Sequence, residues 1–219
     1  MTPEITSFLE NWLGDNPYPE QCRPASYYLL KMEEFAAEPV RRGCTIMLGD
    51  SITDFAGDWE VYFPGCNVLN RGIAGDFIEG MILQLDEISR HEPSQVFFLA
   101  GANNFVKRRT NTPEDVCRAM EEFFRTFRKK MPGTPLHVQS LLPMNNTSLD
   151  FTDHYNSDVE KVNAFLKANQ STYSYDYIDI SEPFKDENGL MKAAMTIDGC
   201  HPNPESYRIW ADIIRDKMK

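Results

Sequence analysis

Several kinds of segment are missing from this sequence, and each absence closes off a class of function. No run of about 18 apolar residues occurs, so no membrane-spanning helix is expected. The first ten residues have neither a basic start nor an apolar stretch of signal-peptide length, so the chain reads as cytoplasmic. Positive charge is scarce: 22 Lys and Arg stand against 33 Asp and Glu, a net charge of −11. Without a basic stripe, nucleic acid is not an expected partner, and neither stable membrane insertion nor an anionic lipid surface is expected. The five cysteines, at 22, 44, 66, 117 and 200, are odd in number and include no Cys-x-x-Cys. Neither a zinc ribbon nor a redox pair is indicated, and free thiols fit a reducing compartment. Cys44 and Cys66 lie in or beside apolar runs and read as small core residues. No repeat or low-complexity segment is visible.

What is present fits one globular domain. A chain of 219 residues can bury about 70% of its unfolded surface and needs no staples. Residues 1–42 read as a helical arm, with a short helix near 5–13 and a second helix over 24–42. After them the pattern alternates between strand and helix. The strand candidates are 44–49, 66–72, 95–100, 136–142 and 175–180. Between them Ile78, Met81, Ile82 and Leu85 share a helical face, as do Val116, Met120, Phe123, Phe124 and Phe127. The second of these helices opens at Thr112-Pro113-Glu114-Asp115, a cap followed by a first-turn proline and two acids. Val159, Val162, Phe165 and Leu166 mark a third helix, and Tyr207, Trp210, Ala211, Ile214 and Met218 a last one. Strands rich in Val, Ile, Leu and Phe, separated by helices, indicate a parallel sheet covered on both faces. The expected class is α/β, a three-layer flavodoxin-like fold with strand order 2-1-3-4-5.

In such a sheet ligands bind at the carboxyl ends of the strands. Strand one ends at Gly49-Asp50-Ser51, and strand two at Asn70-Arg71-Gly72-Ile73-Ala74-Gly75-Asp76. Strand three ends at Gly101-Ala102-Asn103-Asn104, and Asp198-Gly199-Cys200-His201 follows strand five. These segments hold a serine-hydrolase inventory. Ser51 is the candidate nucleophile and His201 its base. Asp198, three residues earlier in the same turn, is the group that would orient the imidazole. The Ser51 and Gly75 backbone N–H groups and the Asn103 side-chain amide are the candidate oxyanion donors.

Each residue alone has a plainer explanation. Ser51 with Asp54 fits a helix cap, the glycines fit a strand-to-helix turn, Asn103 and Asn104 fit a turn, and His201 fits a surface loop. All four being incidental at the ends of the right strands is the harder reading. The other histidines compete weakly: His137 sits inside an apolar run, His91 lies near the opposite edge, and His154 falls at a helix entrance. Rival chemistries lack their signatures. Asp50 is followed by Ser51-Ile52 rather than an Asp-x-Asp, no Gly-Lys-Ser/Thr loop occurs, and no acid pair stands at a strand end. An FMN carrier of the same fold would leave Asp198 and His201 unexplained, and a non-catalytic binding module would leave the whole Ser/Asp/His set so. The reading needs no cofactor and no metal.

In the same order, these four segments resemble the blocks of the GDSL or SGNH hydrolases over roughly 43–215. Gly49-Asp50-Ser51 is similar to the nucleophile block. Gly75 and Asn103 match the oxyanion glycine and asparagine, and Asp198 and His201 match the Asp-x-x-His block. Asn104 departs from the family's usual aspartate. The catalytic subunits of intracellular platelet-activating-factor acetylhydrolase, which the run Leu69–Asp76 also resembles, carry asparagine there, and bacterial carbohydrate esterases look much the same. The resemblance implies a serine esterase that cleaves a short-chain, acetyl-type ester of a small molecule, an acetylated sugar or lipid. A lysophospholipase or thioesterase would share the site, and a homodimer is compatible with it.

Overall fold

Val, Ile, Leu, Met and Phe concentrate in runs of only three to five residues, short enough to be buried on both faces as central strands. The structure, a computed structural model, describes residues 25–108, 111–145 and 152–218. It contains five strands: β1 (Thr45–Gly49), β2 (Val68–Gly72), β3 (Gln95–Leu99), β4 (Leu136–Gln139) and β5 (Asp176–Ile178). All pairings are parallel and the order is β2-β1-β3-β4-β5, as the sequence pattern leads one to expect. Gly49 pairs with Gly72 on one side and Leu99 on the other, so three strand ends stand level.

The period-two alternation of a strand sorts the core into two halves. Ile46, Leu48, Val96, Phe98 and Val138 face helices α3 (Ile78–Ser89), α5 (Pro113–Lys130) and α6 (Thr152–Ala168). Met47, Phe97 and Leu99 face Trp59 and α8 (Pro204–Ile214), whose Trp210 meets Trp59 edge-on at 4.9 Å. Helix α1 (Ala25–Ala37) packs Tyr28 and Phe35 against Ile73 and Phe77, beside β2. Three short α-helices, α2 (Ser51–Asp54), α4 (Ala102–Val106) and α7 (Gln170–Tyr173), and four single-turn 3-10 helices complete the described elements. No described helix is long and apolar enough to cross a membrane.

Element ends differ from the sequence expectation for local reasons. The helix expected over 24–42 stops at Ala37, because Glu38 precedes Pro39 and that position disfavours the α region. The strand expected over 66–72 starts at Val68, after Asn67 takes a left-handed φ of 48°. The fourth strand ends at Gln139 rather than 142: the Leu141 N–H turns to Asn163 Oδ1 (2.8 Å). The fifth ends at Ile178, since the Ile180 and Ser181 N–H groups both donate to Ser140 Oγ. The helix expected near 5–13 lies outside the described residues.

Candidate active site

The site begins where β1 runs out of room. A Cβ on Gly49 would collide with the Thr53 side chain and come within 2.7 Å of the Leu99 carbonyl. One on Gly72 would come within 2.7 Å of the Thr53–Asp54 backbone. Glycine at both places lets α2 sit directly on the strand ends. Asp50 is the cap of that helix, accepting from the Ile52 N–H at 3.0 Å. The capping role that the sequence offered to Ser51 therefore belongs to its neighbour. Ser51 occupies the first helical position, where no cap is asked of its hydroxyl, and Ser51 Oγ lies 2.9 Å from His201 Nε2.

His201 is held from its other side. Asp198 Oδ2 stands 2.6 Å from His201 Nδ1, while Asp198 Oδ1 accepts from the Cys200 and His201 backbone N–H groups at 2.9 and 2.8 Å. Partial burial alone would raise the Asp198 carboxyl. The hydrogen bonds from His201 and Cys200 outweigh it and hold the group below the usual carboxylate range. The loop is closed by a bridge between Thr196 and Pro202, and Thr196 Oγ1 donates to the His201 carbonyl at 2.8 Å. Two contacts tie the loop and the helix that follows it to α2 and the residue after it. Tyr207 donates its hydroxyl to the Ile52 carbonyl at 2.8 Å, and the Phe55 ring packs on the imidazole with centroids 4.9 Å apart.

The glycine-rich turn after β2 is drawn to the same edge. Asn70 accepts from the Gly72 N–H (2.8 Å) and donates to the Thr53 carbonyl (3.0 Å). Asp54 Oδ2 accepts from the Ala74 N–H at 3.0 Å and from the Tyr27 hydroxyl at 2.9 Å. Gly75 takes a φ of 88°, which only glycine adopts at little cost. Asn103, on α4, donates one amide hydrogen to the Asp76 carbonyl at 2.9 Å. Among the described residues no group accepts from the Ser51 or Gly75 backbone N–H, or from the second Asn103 amide hydrogen. The arrangement can therefore take a proton from Ser51 to the imidazole and offer N–H groups to a negative oxygen nearby.

The competing histidines lie elsewhere. His137 is mid-strand in β4, stacked on Phe97, and His91 is buried behind α3 beside Glu87. His154 sits exposed in the first turn of α6. No three His, Cys, Asp or Glu side chains of the described residues gather as a metal-holding group. Sequence reasoning passed over Lys107, whose buried ammonium donates to the Gly75 carbonyl at 2.8 Å. Its signal was the spacing: four residues after Asn103, it shares that residue's helical face.

The charge beneath the turn is unusual. Burial pushes the Asp50 carboxyl up to about 6, partly offset by the Ile52 N–H and by the charges of His201 and Lys107. Burial pushes Asp76 up as well, against hydrogen bonds from the Phe77 N–H and Gln84.

Comparisons with known proteins bear on the fold and on the family. No curated protein matches the sequence. Solved structures share the fold at low identity. A GDSL-like lipase from Bacteroides thetaiotaomicron is 18% identical with a TM-score of 0.76, covering 87% of this chain and 96% of its own. A candidate platelet activating factor from Streptococcus pneumonia is 18% identical with a TM-score of 0.75, over 100% of both chains. A carbohydrate esterase family 3 protein from Talaromyces cellulolyticus is 17% identical with a TM-score of 0.58, over 80% of this chain and 95% of its own. The GDSL-like Lipase/Acylhydrolase family model matches residues 47–209, from inside β1 to inside α8. On that match, which takes in every segment of the site, the chain belongs to the GDSL-like lipase/acylhydrolase family of ester hydrolases.

Proposed function

We propose that the chain is a serine esterase that cleaves a short-chain, acetyl-type ester of a small molecule through an acyl-enzyme on Ser51. The observation that carries this reading is the unbroken contact from Ser51 Oγ to His201 Nε2 (2.9 Å) and from His201 Nδ1 to Asp198 Oδ2 (2.6 Å). Ser51 Oγ attacks the ester carbonyl while its proton passes to His201 Nε2, and Asp198 stabilises the imidazolium. The carbonyl oxygen becomes an oxyanion facing the Ser51 and Gly75 N–H groups and the Asn103 amide. Collapse breaks the bond to the alcohol oxygen, which takes the proton from His201. Water then attacks the acyl group, His201 accepts its proton, and breaking the acyl bond returns that proton to Ser51 Oγ as the carboxylic acid leaves.

A short acyl group is favoured because no long apolar insertion separates the strand-end segments to cover a fatty chain. An acetylated sugar or lipid fits the reading. Incubation of wild type and Ser51→Ala with a fluorophosphonate probe tests the nucleophile. Wild type labels at Ser51 and the variant does not, with turnover falling about 1,000-fold or more. Equal labelling of both would overturn it. A kcat/KM higher on p-nitrophenyl decanoate than on the acetate would point instead to a lysophospholipase or long-chain thioesterase. A wild type that neither labels nor turns over any ester would leave a binding module.

A further inference from the structure

We propose that Lys107 is a positioning residue for the oxyanion donors, locking the Gly75 turn onto the helix that carries Asn103. The inference rests on the assignment of Gly75 and Asn103 as those donors. Lys107 follows α4 as its C-terminal cap, and its backbone N–H donates to the Asn103 carbonyl at 3.0 Å. Its side chain then doubles back under the site. The residue is 7% exposed, Nζ lies 5.4 Å from the centre of the Phe77 ring, and Nζ donates to the Gly75 carbonyl at 2.8 Å. One residue further on, the Asp76 carbonyl accepts from Asn103 Nδ2 at 2.9 Å. Two successive carbonyls of the turn are thus gripped by a side chain of one short helix and by that of the residue capping it.

That grip matters because of where it acts. Gly75 is in the left-handed region, where glycine has the widest choice of alternatives and a free turn would wander. Fixing the 75 and 76 carbonyls fixes the peptide planes on the C-terminal side of Gly75. The Asp54 carboxylate fixes the other side through the Ala74 N–H. The Gly75 N–H between them is then aimed without a hydrogen bond of its own, as a preorganised donor must be. Burying an ammonium is expensive, and a methionine would fill the same volume against Phe77 without that cost. The structural alternative is that Lys107 only balances the buried Asp50 and Asp76 charges.

Lys107→Met and Lys107→Arg separate these roles. Both are assayed for kcat and KM on p-nitrophenyl acetate, for thermal midpoint, and for inhibition by a small alkylboronic acid, which places an oxyanion on the serine. The expected result for Lys107→Met is a kcat about 10–100-fold lower with KM within twofold, the scale of a misplaced catalytic group. The boronate Ki rises in step with the loss of kcat/KM, and Lys107→Arg, which keeps a cationic donor, recovers at least half of the loss on a logarithmic scale. A Lys107→Met enzyme with a lowered midpoint but kcat within twofold of wild type would reduce Lys107 to charge balance. So would equal losses in Met and Arg with no change in boronate Ki. Fluorophosphonate labelling of Ser51 in wild type is run alongside. If wild type labels and Lys107→Met keeps its kcat, the positioning role alone fails. If wild type does not label, the esterase reading fails and takes this inference with it.

Discussion

Asn104 shows how one atom of difference propagates. Its Oδ1 accepts from the Ile78 N–H at 3.2 Å, which gives α3 the terminal acceptor that Phe77, its own cap residue, does not provide. Its Nδ2 donates to Glu79 Oε2 at 3.0 Å, and Glu79 also pairs with Arg108. The family's usual aspartate would keep the first contact and turn the second into two carboxylate oxygens face to face. In this chain the asparagine is therefore matched to Glu79. Asn104→Asp is expected to cost about 1–3 kcal/mol at pH 7, as a buried polar contact replaced by like-charge repulsion. Adding Glu79→Gln should restore most of it. Thermal melts of the two variants check this. A midpoint unchanged in Asn104→Asp, or not restored in the double variant, would mean that Glu79 does not decide the residue at 104.

Whole elements were more legible than the ties between them. Helix α5 reads directly from sequence, and its capping box of Thr112 and Asp115 is present in both directions. Strands β1, β3 and β4 read from their apolar runs because every residue in them is buried, whereas β5, at the sheet edge, is exposed at Asp176 and half-buried at Tyr177 and Ile178. What composition could not reveal is how α1 is fastened. Arg71 sits inside β2, 1% exposed, within the strand that the sequence places over 66–72, but the sequence assigns its side chain no partner. It meets Glu87 of α3 through Nε at 2.9 Å and Glu38 just past α1 at 2.9 Å, with the Phe35 ring 4.3 Å from its guanidinium carbon. Nothing local marks such a partner, since Glu38 and Glu87 lie 33 and 16 residues away. Removing one member of a buried ion pair is costly because the other is left charged and dry. Arg71→Met is expected to lose about 3 kcal/mol, with Glu87→Gln in the same chain recovering part of it. Urea denaturation with a two-state fit measures both, and additive losses in the double variant would show that the two residues do not act as a pair.

At the scale of the molecule, the site joins distant parts of the chain, Ser51 and His201 being 150 residues apart, and that distance explains what could and could not be read in advance. Strand order alone brings the four segments to one edge, so Ser51, Asp198, His201, Gly75 and Asn103 could be nominated from their positions. The charge state of the ground beneath them depends on burial, which no motif states. Asp50 and Asp76 are pushed up by burial, so the folded chain binds their protons to higher pH than the unfolded chain does. Their contribution to stability is present in acid and is lost as pH rises through the folded value, about 6 for Asp50. Asp198 runs the other way: its contribution is present above the unfolded value of 3.8 and is lost as pH falls through its depressed one. These groups together favour mildly acidic conditions, above the Asp198 transition and below that of Asp50. Asp50→Asn separates the terms, because the amide oxygen can still accept from the Ile52 N–H while the buried charge is gone. The variant is expected to melt higher than wild type at pH 8, by up to about 3 kcal/mol for a shift of this size, and to converge with it near pH 4. Calorimetric melts from pH 4 to 8 measure the difference. A gap that does not grow with pH would mean that Asp50 is not a buried charge tolerated beneath Ser51, and that its cap alone accounts for its place in the fold.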